Sequence, residues 1–134
     1  MVRPFMTDCN VAGESLQSDN LIMQLQADGT IAKGRIVELV TAGHVKQATA
    51  TIAGPIGIAL SNAVAGDNIP VMIQGIGSVS VDATGIAIND FITADASGNA
   101  TKATFGTDEI VGIAVSAGAA NGAVAMLINQ IRGA

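Results

Sequence analysis

Tryptophan and tyrosine are absent from the chain, and three phenylalanines, Phe5, Phe91 and Phe105, are its only aromatic residues. A small-molecule pocket usually has aromatic walls with a few convergent polar groups, so a ligand-binding barrel is a poor fit. Charge is scarce too. Charged residues fill 13% of the 134 positions, against ~25% in an average soluble domain. The cations are scattered at Arg3, Lys33, Arg35, Lys46, Lys102 and Arg132, and the net charge is −5. Phosphate binding needs clustered cations, which argues against a nucleic-acid partner. A lone cysteine, Cys9, excludes an internal disulfide and fits a reducing compartment. Met1–Asn20 holds no apolar core of a secretory signal.

Catalytic patterns are missing as well. His44 is the one histidine, and no nucleophile elbow accompanies it. It reads as a turn or surface residue. Cys9 lies beside Asp8, whose charge disfavours the thiolate. Asp82, Asp90, Asp95, Asp108 and Glu109 do not have the spacing of a calcium loop. They read as turn carboxylates that bond their own backbone. Gly75-Ile76-Gly77 starts like a dinucleotide fingerprint, but Ser80 stands where the third glycine belongs. The sequence points to no enzyme, no metal and no cofactor.

What the chain has is alanine, valine, isoleucine and sixteen glycines. Its length suits one domain with a real core. A core of such small residues is thin, which suggests that apolar area is buried between subunits. Two uncharged stretches, 47–66 and 110–131, approach the length of a membrane span. Pro55, Gly57 and Asn62 break the first, and Gly118, Asn121 and Gly122 break the second. Both read as pairs of short buried strands, not as a membrane segment.

Alternation predicts strands at Leu21–Gln26, Ile36–Thr41, Val45–Ile52, Ile69–Asp82 and Val124–Asn129. In the long strand, Ile69, Val71, Ile73, Val79 and Val81 share one face, while Met72, Gln74, Ser78 and Ser80 share the other. Gly75 and Gly77 mark a bulge or bend within it. Phe91–Ala94 and Asn99–Thr104 flank the hairpin signal Asp95-Ala96-Ser97-Gly98. Phe91 and Phe105 are expected in the core. Gly57-Ile58-Ala59-Leu60-Ser61 is echoed 55 residues later by Gly112-Ile113-Ala114-Val115-Ser116, and each copy leads through a small-residue turn to an apolar strand. Either one strand–turn–strand unit is duplicated, or the match is chance in a composition poor in letters. The fold class is all-β: a small β-barrel or β-sandwich of short strands with an extended N-terminal arm. Residues 1–24 form the arm and residues 25–134 the β-rich domain.

Several of these segments carry a resemblance. Gly34-Arg35-Ile36-Val37, Pro55–Leu60 with Ala63–Gly66, Val71–Gly75, Asn89-Asp90-Phe91, Asp95–Gly98 and Val111–Val115 with the last strand resemble the short Gly/Ala/Val-rich phage head decoration, or capsid cement, proteins. The resemblance spans about Gly29–Ile131. It implies a compact β domain, usually a homotrimer, made in the bacterial host cytoplasm. It also implies docking on the outer capsid surface at local threefold positions, with the major capsid protein of a phage as partner. Under that reading the capsid contacts fall on Arg3, Phe5, Leu16 and Ile22. The alternative within structural proteins is a tail, spike or fibre module of a phage.

Overall fold

The computed structural model describes residues 20–49, 55–104 and 108–131, with side chains described as far as Ile128. Nine strands appear in chain order: β1 (Leu21–Ala27), β2 (Ile36–Thr41), β3 (His44–Gln47), β4 (Pro55–Ala59), β5 (Asn68–Ser80), β6 (Phe91–Ala94), β7 (Ala100–Lys102), β8 (Ile110–Ala114) and β9 (Ala123–Ile131). The described residues contain no helix. The fold is all-β, and five strands close a barrel in the order β1-β3-β2-β4-β5, with β5 returning to β1. The first strand begins at Leu21, so residues 21–24, grouped with the arm on sequence grounds, pair with β5 as Leu21↔Gln74, Ile22↔Met72, Met23↔Val71 and Gln24↔Pro70. Arg3, Phe5, Cys9, Leu16, Phe105 and Arg132 lie outside the described residues.

The echo in the sequence is a structural duplication that extends well past the two segments that revealed it. In the N-terminal unit β4 meets β5 as Ile58↔Met72 and Ala59↔Val71. In the C-terminal unit β8 meets β9 as Ile113↔Leu127 and Ala114↔Met126. The hairpin β2–β3 pairs Val37↔Gln47 and Leu39↔Val45. Its counterpart β6–β7 pairs Ile92↔Lys102 and Ala94↔Ala100. The isolated bridge Ile31↔Ala63 recurs as Ile86↔Gly118. Each partner is displaced by the same 55 residues as Gly57 and Gly112. Before Ile31 the displacement is one residue smaller, because the turn after the unit's first strand is one residue longer in the second copy.

The two units share a strand. The first half of β5 pairs with β1 up to Gln74, and the second half pairs with β9 from Gly75 to Ser80. The bend expected at Gly75 is the point of handover. Gly75 has φ +115°, a conformation that favours glycine, and a Cβ there would collide with the Asn20 side chain. Gly57 and Gly112 serve close approach instead. A Cβ on the first would strike the Met72 carbonyl, and on the second the Leu127 carbonyl.

Each unit has its own core. Ile31, Val37, Ile69 and Val71 fill the first. Their counterparts Ile86, Ile92, Val124 and Met126 fill the second. On the face expected for Ile69, Val71, Ile73, Val79 and Val81, all are buried except Ile73, which is half-buried. Met72, placed with the polar face, is buried as well, because the C-terminal unit packs over it. Phe91 is only half-buried and does not join the core expected for it; it takes the place of Ile36 on an outer face.

The carboxylates behave as turn caps. The Asp82 carboxylate accepts hydrogen bonds from the Thr84 amide (2.9 Å), the Thr84 hydroxyl (2.8 Å) and the Gly85 amide (3.2 Å). Asp95 accepts from the amides of Ser97 and Asn99. Asp90 accepts from Ala87, and Asp108 from Thr104. Burial pushes the Asp82 carboxyl up. Hydrogen bonds from the Thr101 hydroxyl, the Thr84 amide and hydroxyl and the Gly85 amide outweigh it and hold the group below its usual range.

Two outcomes are expected. Gly57→Ala and Gly112→Ala each force a strand pair apart and lower stability by about 1–3 kcal/mol in chemical denaturation, the range for overpacking. A carboxyl with a depressed folded pKa adds stability above its unfolded pKa of about 3.9, and that stability is lost as pH falls through the folded value. The stability gap between wild type and Asp82→Asn is therefore widest above about pH 4 and narrows in more acid solution; a gap independent of pH would show that the carboxylate charge contributes nothing.

Candidate interaction surface

Clustered donors for chemistry are not found: no group of three or more His, Cys, Asp or Glu side chains comes together among the described residues. His44 opens β3, half-exposed, and its Nδ1 lies 2.7 Å from Asp28 Oδ1. No described hydroxyl or thiol nucleophile is hydrogen-bonded to it. The pair ties β3 to the turn after β1, and in that arrangement it is a structural tether.

One buried carboxylate stands apart. Glu38 is 6% exposed, and its Oε1 has no hydrogen-bond partner. Lys46 faces it across the β2–β3 hairpin, Nζ to Oε1 3.7 Å, and is itself half in solvent. The distance is too long for a hydrogen bond, so the attraction is that of a near charge. Glu38 takes an inward place on β2, while Leu39 and Val40 beside it are nearly half exposed.

Leu39 belongs to an apolar feature of the surface. Met23 on β1, Leu39 on β2, Ile56 on β4 and Ile73 on β5 line an apolar cleft of about 670 Å³. Leu25 and Ile128 also line it, and Gly43 and Gln74 complete its edge. The cleft exists because β1, β2, β4 and β5 bring large apolar side chains together; Ile56 and Ile73 pack against the core of the N-terminal unit, while Met23 and Leu39 stay nearly half exposed. Sequence reasoning did not single it out. The sequence predicts a strand at Ile36–Thr41 without assigning its faces, and the tertiary structure leaves Leu39 47% exposed. Of the residues expected to touch a capsid, Ile22 alone is described; it is 49% exposed on β1, beside Met23 of the cleft.

The two long uncharged stretches resolve into strands. The first contains β4, and the second holds β8 and β9. No helix among the described residues is long and apolar enough to cross a membrane.

Comparison with known proteins gives a fold neighbour and a family. The N base of the head fibre protein gp8.5 of bacteriophage phi29, known from its crystal structure, superposes with a TM-score of 0.66 at 16% identity. The match covers 84% of this chain and 97% of that one. At this identity the likeness concerns the fold alone. No curated protein sequence matches the chain. The family model of the phage cement protein matches residues 16–130, nearly the whole chain. With a match over this much of its length, the chain belongs to the phage cement protein family.

Proposed function

We propose that the protein binds the outer surface of a phage capsid as a homotrimer and stabilises the expanded shell, with no reaction catalysed. Membership of the cement family is the observation that carries this reading. Physical features support it. The net charge of −5 keeps the protein from competing for packaged DNA, which suits the outside of a shell. Apolar side chains exposed on a surface poor in charge gain from burial against protein. Many copies with moderate contacts each give a large total stabilisation.

The N-terminal segment supplies the shell contacts in this reading. Arg3, Phe5 and Leu16 reach the major capsid protein, and an extended segment adds a strand to an exposed edge of it. Phe5 fills a pocket as an aromatic anchor. Ile22, exposed on β1, continues the same surface. The second reading is the base of a head fibre, favoured by the fold likeness to the phi29 head fibre base.

Purified protein mixed with empty expanded capsids of the matching phage, imaged by cryo-electron microscopy, is expected to add compact density outside the shell at local threefold positions. Density continued by a projecting stalk would favour the fibre base, and bare capsids would overturn both. Deletion of Met1–Asp19 keeps every described strand, so the circular dichroism spectrum is expected to stay unchanged while capsid occupancy falls. Full occupancy after deletion would remove the segment from the interface.

A further inference from the structure

The duplication bears on what could fill the cleft. Within the chain, the outer face of the N-terminal unit packs on the C-terminal unit. Ile36, Ile58 and Met72 from the first join Ala94, Val111 and Ile128 of the second in one cluster. Gly77 sits under this contact, and a Cβ on it would lie 3.0 Å from Met72 Sδ and 3.1 Å from Ile58 Cδ1. Polar bonds frame it. The Ile36 amide donates to the Gly98 carbonyl (2.8 Å), and the Ser80 amide to the Gly34 carbonyl (2.8 Å). Arg35 Nη1 and Gln47 Nε2 both donate to the Ser97 carbonyl, at 2.6 and 2.9 Å.

Because the units are equivalent, each half of this contact exists twice. The receiving positions Gly77, Ala94, Gly98, Val111 and Ile128 correspond in the N-terminal unit to Met23, Leu39, Gly43, Ile56 and Ile73, all of which line the open cleft. The entering positions Ile58 and Met72 correspond in the C-terminal unit to Ile113 and Leu127. Exposure separates the used copies from the unused ones. Ala94 is 2% exposed and Leu39 47%; Met72 is 8% exposed and Leu127 38%. Leu60 packs against the joint cluster, while its counterpart Val115 is 40% exposed. The molecule thus presents one unfilled receiving face and one unused entering face, and the contact between them is already made once inside the chain.

We propose that copies of this chain join head to tail, the outer face around Leu127 and Ile113 of one copy filling the Met23–Leu39 cleft of the next, and that three copies close into a ring of six units. This interface is heterologous, with different surfaces on its two sides, and such contacts form rings when the rotation closes. Met23 and Leu39 are larger than Gly77 and Ala94, so the docked face sits farther out than it does within the chain. The Gln26 amide then keeps its bond to the Gly43 carbonyl (2.9 Å). Lys102 replaces Gln47, and its ammonium donates to the Ala42 carbonyl of the next copy, as Gln47 donates to Ser97. The number three rests on the capsid reading and the interface on the duplication; bare capsids with an intact trimer would sink that reading and leave this interface standing.

The test is the mass in solution of the full chain, by light scattering after size-exclusion chromatography. Wild type is expected at three times the chain mass. Leu39→Glu breaks only the receiving face and Leu127→Glu only the entering face, so each alone is expected to run as a monomer with an unchanged circular dichroism spectrum. Mixed in equal amounts, they form a one-to-one dimer that grows no further, because one intact face of each kind remains. In a Cys9→Ser background, Met23→Cys with Ile113→Cys is expected to give covalent oligomers on oxidation. A wild-type chain monomeric at its highest soluble concentration, single variants that keep the wild-type mass, or a mixture that stays monomeric would each overturn the proposal. So would a Leu39→Glu chain of wild-type mass that no longer binds capsids, which would assign the cleft to the capsid protein.

Discussion

The structure depends on one strand serving two units. β5 is 13 residues long, and its halves have different partners, β1 before Gly75 and β9 after it. A strand in two sheets cannot rotate in one without moving the other, so the relative position of the units is fixed by backbone hydrogen bonds. Side-chain packing then completes the joint. The alternation of β5 sends Val71 and Val79 into separate cores and leaves Met72 between the units. A core assembled from valine, alanine and isoleucine is thin in either unit alone. Ile36, Ile58 and Met72 of the first extend the core of the second, so tandem arrangement compensates for the missing aromatics.

The polar groups follow from the same economy of size. Turns between short strands leave amides without ladder partners, and aspartate satisfies one or two of them at once. That role accounts for Asp82, Asp90, Asp95 and Asp108, and among the described residues no three acidic or other ligand side chains come together. The duplicate units differ where their neighbourhoods differ. The Glu38–Lys46 pair of the first hairpin is replaced by Thr93 and Thr101 in the second, where the Thr101 hydroxyl holds Asp82 instead. Positive backbone angles recur at matching places with a change of residue: Gly34 at φ +84° becomes Asn89 at +72°, and Gly66 at +94° becomes Asn121 at +59°. Asparagine tolerates that conformation nearly as well as glycine, so the backbone of the unit persists where the letters do not.

For a structural virion component, the functional question concerns surfaces. Family membership places the chain among phage cement proteins, and the fold is shared with the base of a phage head fibre. Met23 and Leu39 are exposed where the duplication leaves a receiving face unfilled, and Val115 and Leu127 where it leaves an entering face unused.

By itself the sequence determined the class of fold, most strand positions and the structural character of the protein, because period-two alternation, turn residues and missing aromatics are local signals. Ile36–Thr41 and Phe91–Ala94 were legible as strands to the residue. Gly57–Ser61 and Gly112–Ser116 showed the repeat where the letters coincide, though Gly34 against Asn89 hid it elsewhere. Only the tertiary structure decided which faces are covered. Glu38, a charged residue, is buried, and Leu39 beside it is nearly half exposed. Which side of a strand is inside depends on where the barrel ends and on what packs beyond it. That is a property of residues distant in sequence, and it is why Met72 is buried while its counterpart Leu127 meets solvent.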